Sequence, residues 1–177
     1  MIRFYIILSI FLFFSSNGYT TNVVVIDVNF LINNSNQFAE ITKKINNSQI
    51  DFKKKFKNIE EILYKKKEEL EDLKLILSEE EFNLKKNEYY VEVDKFEMDV
   101  SDFNLHYERE IINIKNIIFA ELSNLLTQYA NENAIELIID KNQYLIASEK
   151  INITEKMLIK LNDSKIDLSF KEYEDKF

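Results

Sequence analysis

The sequence predicts an α+β chain. A small β body, with about three strands per chain and completed by oligomerisation, is expected to carry a long antiparallel helical hairpin that projects as a coiled-coil arm. Residues 35–133 contain neither Gly nor Pro, and their apolar residues recur at helical spacing. That stretch holds a single break, near Leu77-Ser78. Short β-rich runs flank it at residues 23–28 and 135–148. The expected division is 1–18 as a signal peptide, 19–34 and 134–162 as the β body with short helices, 35–133 as the arm, and 163–177 as a polar tail.

The chain starts Met1-Ile2-Arg3. Residues 4–14 are apolar except for Ser9, and Ser15-Ser16-Asn17-Gly18 follow. A positive start, an apolar stretch and small residues form the layout of a cleaved secretory signal, with Ser16 and Gly18 at the −3 and −1 places. The apolar stretch is too short to span a membrane, which takes roughly 20 residues. The whole chain has no Cys, so the fold does not depend on the redox state of its compartment.

TNVVVIDV, residues 21–28, is a β-branched run bounded by polar residues, and it reads as a buried strand. Asp27 near its end is expected to cap the next helix, which begins at Phe30-Leu31-Ile32. Asn33, Asn34 and Asn36 allow a kink before the arm proper.

The first arm's seam is Phe38, Ile41, Ile45, Phe52, Phe56, Ile59, Leu63, Leu70, Leu73 and Leu77. The four-residue step from Phe52 to Phe56 is a stutter in a seven-residue repeat. The second seam runs Tyr89, Val93, Phe96, Val100, Phe103, Tyr107 and continues through Ile111, Ile114, Ile118, Leu122, Leu125 and Tyr129. Its longer mean step there suits a straighter helix packed into a body. At the break, Ser78 and Glu81 have capping-box spacing, and Glu79 and Glu80 place negative charge where the helix dipole favours it. One uninterrupted helix is the alternative. Charge favours pairing of the arms: residues 36–77 carry ten Lys against eight acids, and residues 79–110 carry three Lys and one Arg against eleven acids. Exposed pairs set partner choice more than stability.

After Asn133, residues 135–140 (IELIID) and 144–148 (YLIAS) read as two strands of a hairpin around Lys141-Asn142-Gln143, with Asn as the residue that tolerates a left-handed turn. Thr154 can cap a short helix over 155–161. Three strands are too little sheet to close a core alone, and exposed edges invite pairing between chains. The expected oligomer strands hold Val23, Val25, Leu137, Ile139 and Leu145. The tail, with Ile166, Leu168 and Phe170 in alternation, reads as a frayed terminus; the sharper alternative is a segment that docks on a strand edge or lies in a binding cavity.

Nothing here is arranged for bond-making chemistry, so no enzyme, cofactor or metal is expected. His106 is the sole His and reads as a helix-surface residue. Glu79-Glu80-Glu81 lack the spaced oxygens and Gly of a calcium loop. Asn152-Ile153-Thr154 matches a glycosylation sequon, a motif too short to be informative. The net charge of −8 disfavours nucleic-acid binding.

The strand VVVIDV leading into a helix, the charged hairpin turning at Ser-x-x-Glu, the block YANENAIELIIDKNQYLIAS and the closing TEKMLIKLN together resemble the OmpH/Skp family of periplasmic chaperones, over roughly residues 22–162. The resemblance implies a homotrimer whose strands form a β body and whose arms surround a cavity. It implies an ATP-independent holdase that binds unfolded outer-membrane β-barrel proteins and prevents their aggregation before membrane insertion. Expected client contacts are apolar residues outside the seam, Phe82, Leu84, Tyr90, Met98 and Leu105, with Phe52 and Phe56 near the stutter. Arms in the family are often basic; here residues 64–90 carry six Lys against eight acids, which argues against a lipopolysaccharide site. The alternative reading is a structural coiled-coil envelope protein, a spacer or docking rod, although a pure rod has no use for VVVIDV and IELIID.

Overall fold

The computed structural model describes residues 21–174; the expected signal peptide lies outside the described residues. The elements run β1 (Val23–Ile26), α1 (Val28–Asn34), α2 (Asn36–Leu73), α3 (Glu79–Glu132), β2 (Leu137–Asp140) and α4 (Thr154–Asp163), with 3₁₀ turns at Lys141–Gln143 and Glu149–Ile151.

Helices α2 and α3 pair along the seams their spacing predicts. Ile41, Ile45, Phe56 and Leu63 of α2 are buried, as are Phe103, Tyr107, Ile114, Ile118, Leu122 and Tyr129 of α3. At about 1.5 Å per residue, α2 is about 57 Å long and α3 about 80 Å. The excess length of α3 runs down into the body, where Ile114, Ile118 and Leu122 join Leu31, Met157 and Leu161 in one continuous apolar core. Across the arms, Lys66 Nζ lies 2.7 Å from Glu92 Oε1. This bridge joins the Lys-rich helix to the acidic one, and its exposure limits it to about 0–1 kcal/mol.

The capping box at the tip is formed. The Ser78 hydroxyl accepts from the Glu81 amide at 3.4 Å, and the Ser78 amide donates to Glu81 Oε2 at 3.2 Å. The Ser78 hydroxyl also donates to that carboxylate at 2.6 Å, and this hydrogen bond lowers the Glu81 pKa. Ser35 breaks α1 from α2 as a one-sided N-cap: it is fully buried, and its hydroxyl accepts from the Phe38 amide at 3.2 Å while donating to the Ile32 carbonyl at 3.0 Å.

Past Glu132 and the C-cap Asn133, helix α3 is stopped by Ala134, whose φ is 50°. The Ile135 amide then reaches back to the Ala130 carbonyl at 2.9 Å, the 6→1 bond of a left-handed helix stop. Asn22 donates to the carbonyls of Asn133 and Ala134 at 3.1 and 3.3 Å.

The sheet corrects the sequence reading. β1 and β2 form a parallel pair, in register from Val23 opposite Leu137 to Ile26 opposite Asp140, so the entire arm is the crossover between two adjacent strands. On the other side of β1, Val25 bridges Asn152, and the Ile153 amide donates to the Val25 carbonyl at 3.0 Å. The expected third strand at 144–148 is not formed among the described residues. The chain turns as a 3₁₀ helix at Lys141–Gln143 instead, and Leu145 is 101% exposed. A strand on the outer edge of β2 would have no layer to pack against, because β2 itself leaves Leu137 exposed. Thr154 also departs from expectation. Its hydroxyl accepts from the Asp27 amide at 3.0 Å rather than capping α4, and Asn152 Oδ1 accepts from the Thr154 amide at 3.0 Å.

Candidate functional site

The middle of the arm is an aromatic cluster. Helical spacing brings Phe52 and Phe56 of α2 against Phe103 of α3, with ring centroids 5.5 and 5.2 Å apart. Phe103 stands over Tyr107 at 5.0 Å, and Phe56 meets the edge of Phe96 at 6.1 Å. Such edge contacts contribute about 0.5–1.5 kcal/mol each beyond area burial. The two α2 residues expected to contact client are therefore held in the arm's own packing.

The tail joins this cluster. From Ser164 onward, residues 164, 166, 168 and 170 face inward and residues 165, 167, 169 and 171 outward, the period of an extended strand. Ile166, Leu168 and Phe170 pack on the core. Tyr173 is only 8% exposed; its ring lies 5.4 Å from both Phe52 and Phe103 and 5.6 Å from His106. Residues 164–174 are thus not frayed, and they dock on the flank of the helical arm rather than on a strand edge. His106, expected on the helix surface, holds the tail: its Nε2 donates to the Lys171 carbonyl at 2.8 Å.

Elsewhere α3 is open. Leu84, Val91, Met98, Leu105, Ile112 and Phe119 stand at seven-residue intervals, and each is 43–68% exposed. Met98 is two residues from both Phe96 and Val100, which puts it about 200° around the helix from each and so opposite the seam. A seven-residue step falls about 20° short of two turns, so the stripe winds slowly as it descends towards the body. Scattered exposed apolar residues are ordinary; these six recur in one row about 10 Å apart along the helix, with polar residues on the turns between them. The sequence reading named Leu84, Met98 and Leu105 but missed Val91, Ile112 and Phe119, although their seven-residue recurrence was available. Tyr90, beside the stripe, is exposed, with Lys86 Nζ 5.8 Å from its ring. Phe82 is half-buried near the tip.

In the body, Val25 is buried, Val23 and Ile139 are half-buried, and Leu137 and Leu145 are exposed. Asp27 caps α1, accepting from the Phe30 amide at 2.9 Å, and its other oxygen accepts from Lys141 Nζ at 3.0 Å. The amide bond first, and Lys141 after it, lower the Asp27 pKa. Asp27 in turn raises that of Lys141. Its carboxylate is thus committed to capping. Among the described residues no group of His, Cys, Asp or Glu is placed to hold a metal ion, and no helix is long and apolar enough to cross a membrane. Glu81 of the tip triplet is committed to Ser78.

No curated protein matches the chain. The fold is similar to that of a crystal structure from Caulobacter crescentus assigned as an OmpH-like outer membrane chaperone, with a TM-score of 0.67 at 11% identity over 90% of this chain and 95% of that one. The family model for outer membrane protein (OmpH-like) matches residues 22–161, which takes in β1, the whole arm, β2 and nearly all of α4. By that match the chain belongs to the OmpH-like family.

Proposed function

We propose that the chain is an ATP-independent holdase chaperone that binds unfolded outer-membrane β-barrel proteins in the periplasm and keeps them from aggregating before insertion. The observation that carries this reading is the exposed stripe on α3. A β-barrel strand alternates apolar and polar side chains; unfolded, it offers apolar surface and unpaired backbone groups that aggregate. The stripe, from residue 84 to 119, extends about 50 Å at the helical rise. It offers many weak apolar contacts on a helix whose backbone is already paired, so it presents no strand edge on which a client could propagate a sheet. The chaperone assignment of the Caulobacter relative supports the same reading, and the signal-like start supports export.

Three copies would join through the body. The outer edge of β2, with exposed Leu137, and the fully exposed Leu145 and Ile146 form an apolar surface that a neighbouring copy would cover. The three arms would then surround a cavity lined by their stripes. The acidic balance favours neither nucleic acid nor lipopolysaccharide as a partner.

Native mass spectrometry of the exported chain, alone and with an unfolded outer-membrane β-barrel protein, tests this reading beside light scattering of the diluted client. Three copies holding one client, with scattering suppressed without ATP, is the expected result. A monomer or dimer that leaves client aggregation unchanged would overturn it in favour of a coiled-coil rod.

A further inference from the structure

The tail lies wholly outside the family match, which ends at residue 161, and its seat on the arm differs from plain core packing. It is extended and alternates apolar and polar residues for five positions, from Ile166 to Phe170, before its aromatic plug, Tyr173. Side chains of the arm hold its backbone. His106 Nε2 donates to the Lys171 carbonyl at 2.8 Å, Glu110 Oε2 accepts from the Lys171 amide at 3.0 Å, and Tyr107 Oη accepts from the Tyr173 amide at 3.4 Å. Tyr107 Oη lies 3.1 Å from Ser48 Oγ, which itself donates to the Ile45 carbonyl at 2.8 Å. The Tyr107 proton therefore points to Ser48, and its lone pairs are left for the tail. These partners read amides and carbonyls, which every peptide carries, while an aromatic slot between Phe52 and Phe103 takes the ring. The far end opens beside Leu105 of the stripe, in a groove that Asp102, His106 and Arg109 share with Lys171 and Tyr173.

We propose that this flank of the arm is a binding groove for extended peptide and that residues 164–174 are its resident occupant, a built-in stand-in for a client strand. The inference rests on the holdase reading above. The tail has the alternating pattern of a transmembrane β-strand, so a client segment with an aromatic residue after an alternating run meets the same apolar seats and the same backbone partners. Being tethered, the tail competes at an effective concentration of the order of millimolar. It withholds the groove from weak segments and yields it to client strands already held on the adjoining stripe. A binding-competent state populated one time in ten weakens apparent affinity tenfold.

The test compares the exported full chain with one ending at residue 163, which keeps every helix and strand. The shortened chain is expected to bind an unfolded outer-membrane β-barrel protein about tenfold more tightly by fluorescence anisotropy. A synthetic peptide of residues 164–177 should then displace that client. A His106→Cys/Lys171→Cys pair, in a chain otherwise free of Cys and closed by a short cleavable thiol crosslinker, holds the tail down. It should weaken client binding in the full chain until the linker is cleaved, and it serves even if the shortened chain folds poorly. Equal or weaker client binding by a folded shortened chain, or a crosslink without effect, overturns the inference and leaves the holdase reading standing. Client held by neither chain overturns both.

Discussion

The amide of Asp27 donates to the hydroxyl of Thr154 across 127 residues of sequence, at 3.0 Å. Together with the Ile153–Val25 backbone bond, it fastens the start of the body to its closing helix at the point where β1 turns into α1. Thr154→Val keeps the shape but leaves the Asp27 amide without its acceptor. An unsatisfied, partly buried donor costs about 1–2 kcal/mol. Urea unfolding should show the midpoint lowered with an unchanged slope.

Asp27 also gives the body an acid limit. Its pKa is lowered in the folded chain by the Phe30 amide and Lys141, so the folded state binds its proton less readily than the unfolded one. Its contribution is fully present above the unfolded carboxylate value of about 3.9 and is lost as pH falls through the lower folded value. Lys141 is the mirror case: its raised pKa contributes below about pH 10.4 and fades as pH rises further. Chemical denaturation at pH 7 and pH 3 should show a smaller acid loss for Asp27→Asn than for the parent chain.

Ala134 holds a left-handed conformation, with φ at 50°, that a Cβ disfavours. Ala134→Gly relieves the clash at some cost in unfolded-state entropy. A net gain of about 0.5–1 kcal/mol is expected, read as a higher urea midpoint.

Serine replacing Leu84, Met98 and Leu105 together removes half of the exposed stripe while leaving the seam intact. Surface changes of this kind shift stability by less than about 0.5 kcal/mol each. If the stripe holds client, the affinity for an unfolded β-barrel protein falls about tenfold, a loss of about 1.4 kcal/mol. Anisotropy titrations beside circular-dichroism melts separate the two effects, and unchanged affinity would remove the stripe from the client surface.

The arm was legible because its information is local. Every seam residue from Phe38 to Leu77 and from Tyr89 to Tyr129 repeats within one or two turns, and Ser78 and Glu81 cap each other three residues apart. The body was harder to read. The β propensity of Tyr144–Leu145–Ile146 is real, but a strand forms only against a layer, and this chain alone supplies none there. The tail was hidden for the opposite reason: its alternation was visible, but its seat lies on Phe103, His106 and Tyr107, more than sixty residues away. Nothing in the local sequence marks His106 as a ligand for a backbone carbonyl. The left-handed residue was expected at Asn142 and lies instead at Ala134, because the α3 stop, and not the turn after β2, is where the chain must reverse its hand.

The parallel pairing of β1 with β2 also bears on the order in which the chain folds. Val23 must find Leu137 across more than a hundred residues, a loop whose closure is entropically unfavourable as free coil. Two helices that start from the Ser78 turn and zip downwards shorten that search turn by turn, and they deliver the strands side by side at the end. The tip is then the nucleus and the sheet the last event. Weakening Ser78 should slow refolding, whereas weakening Val24 or Ile138 should mainly hasten unfolding. A chain folding in this order would commit to its shape at the far end of the arm, tens of ångströms from the place where β1 meets β2.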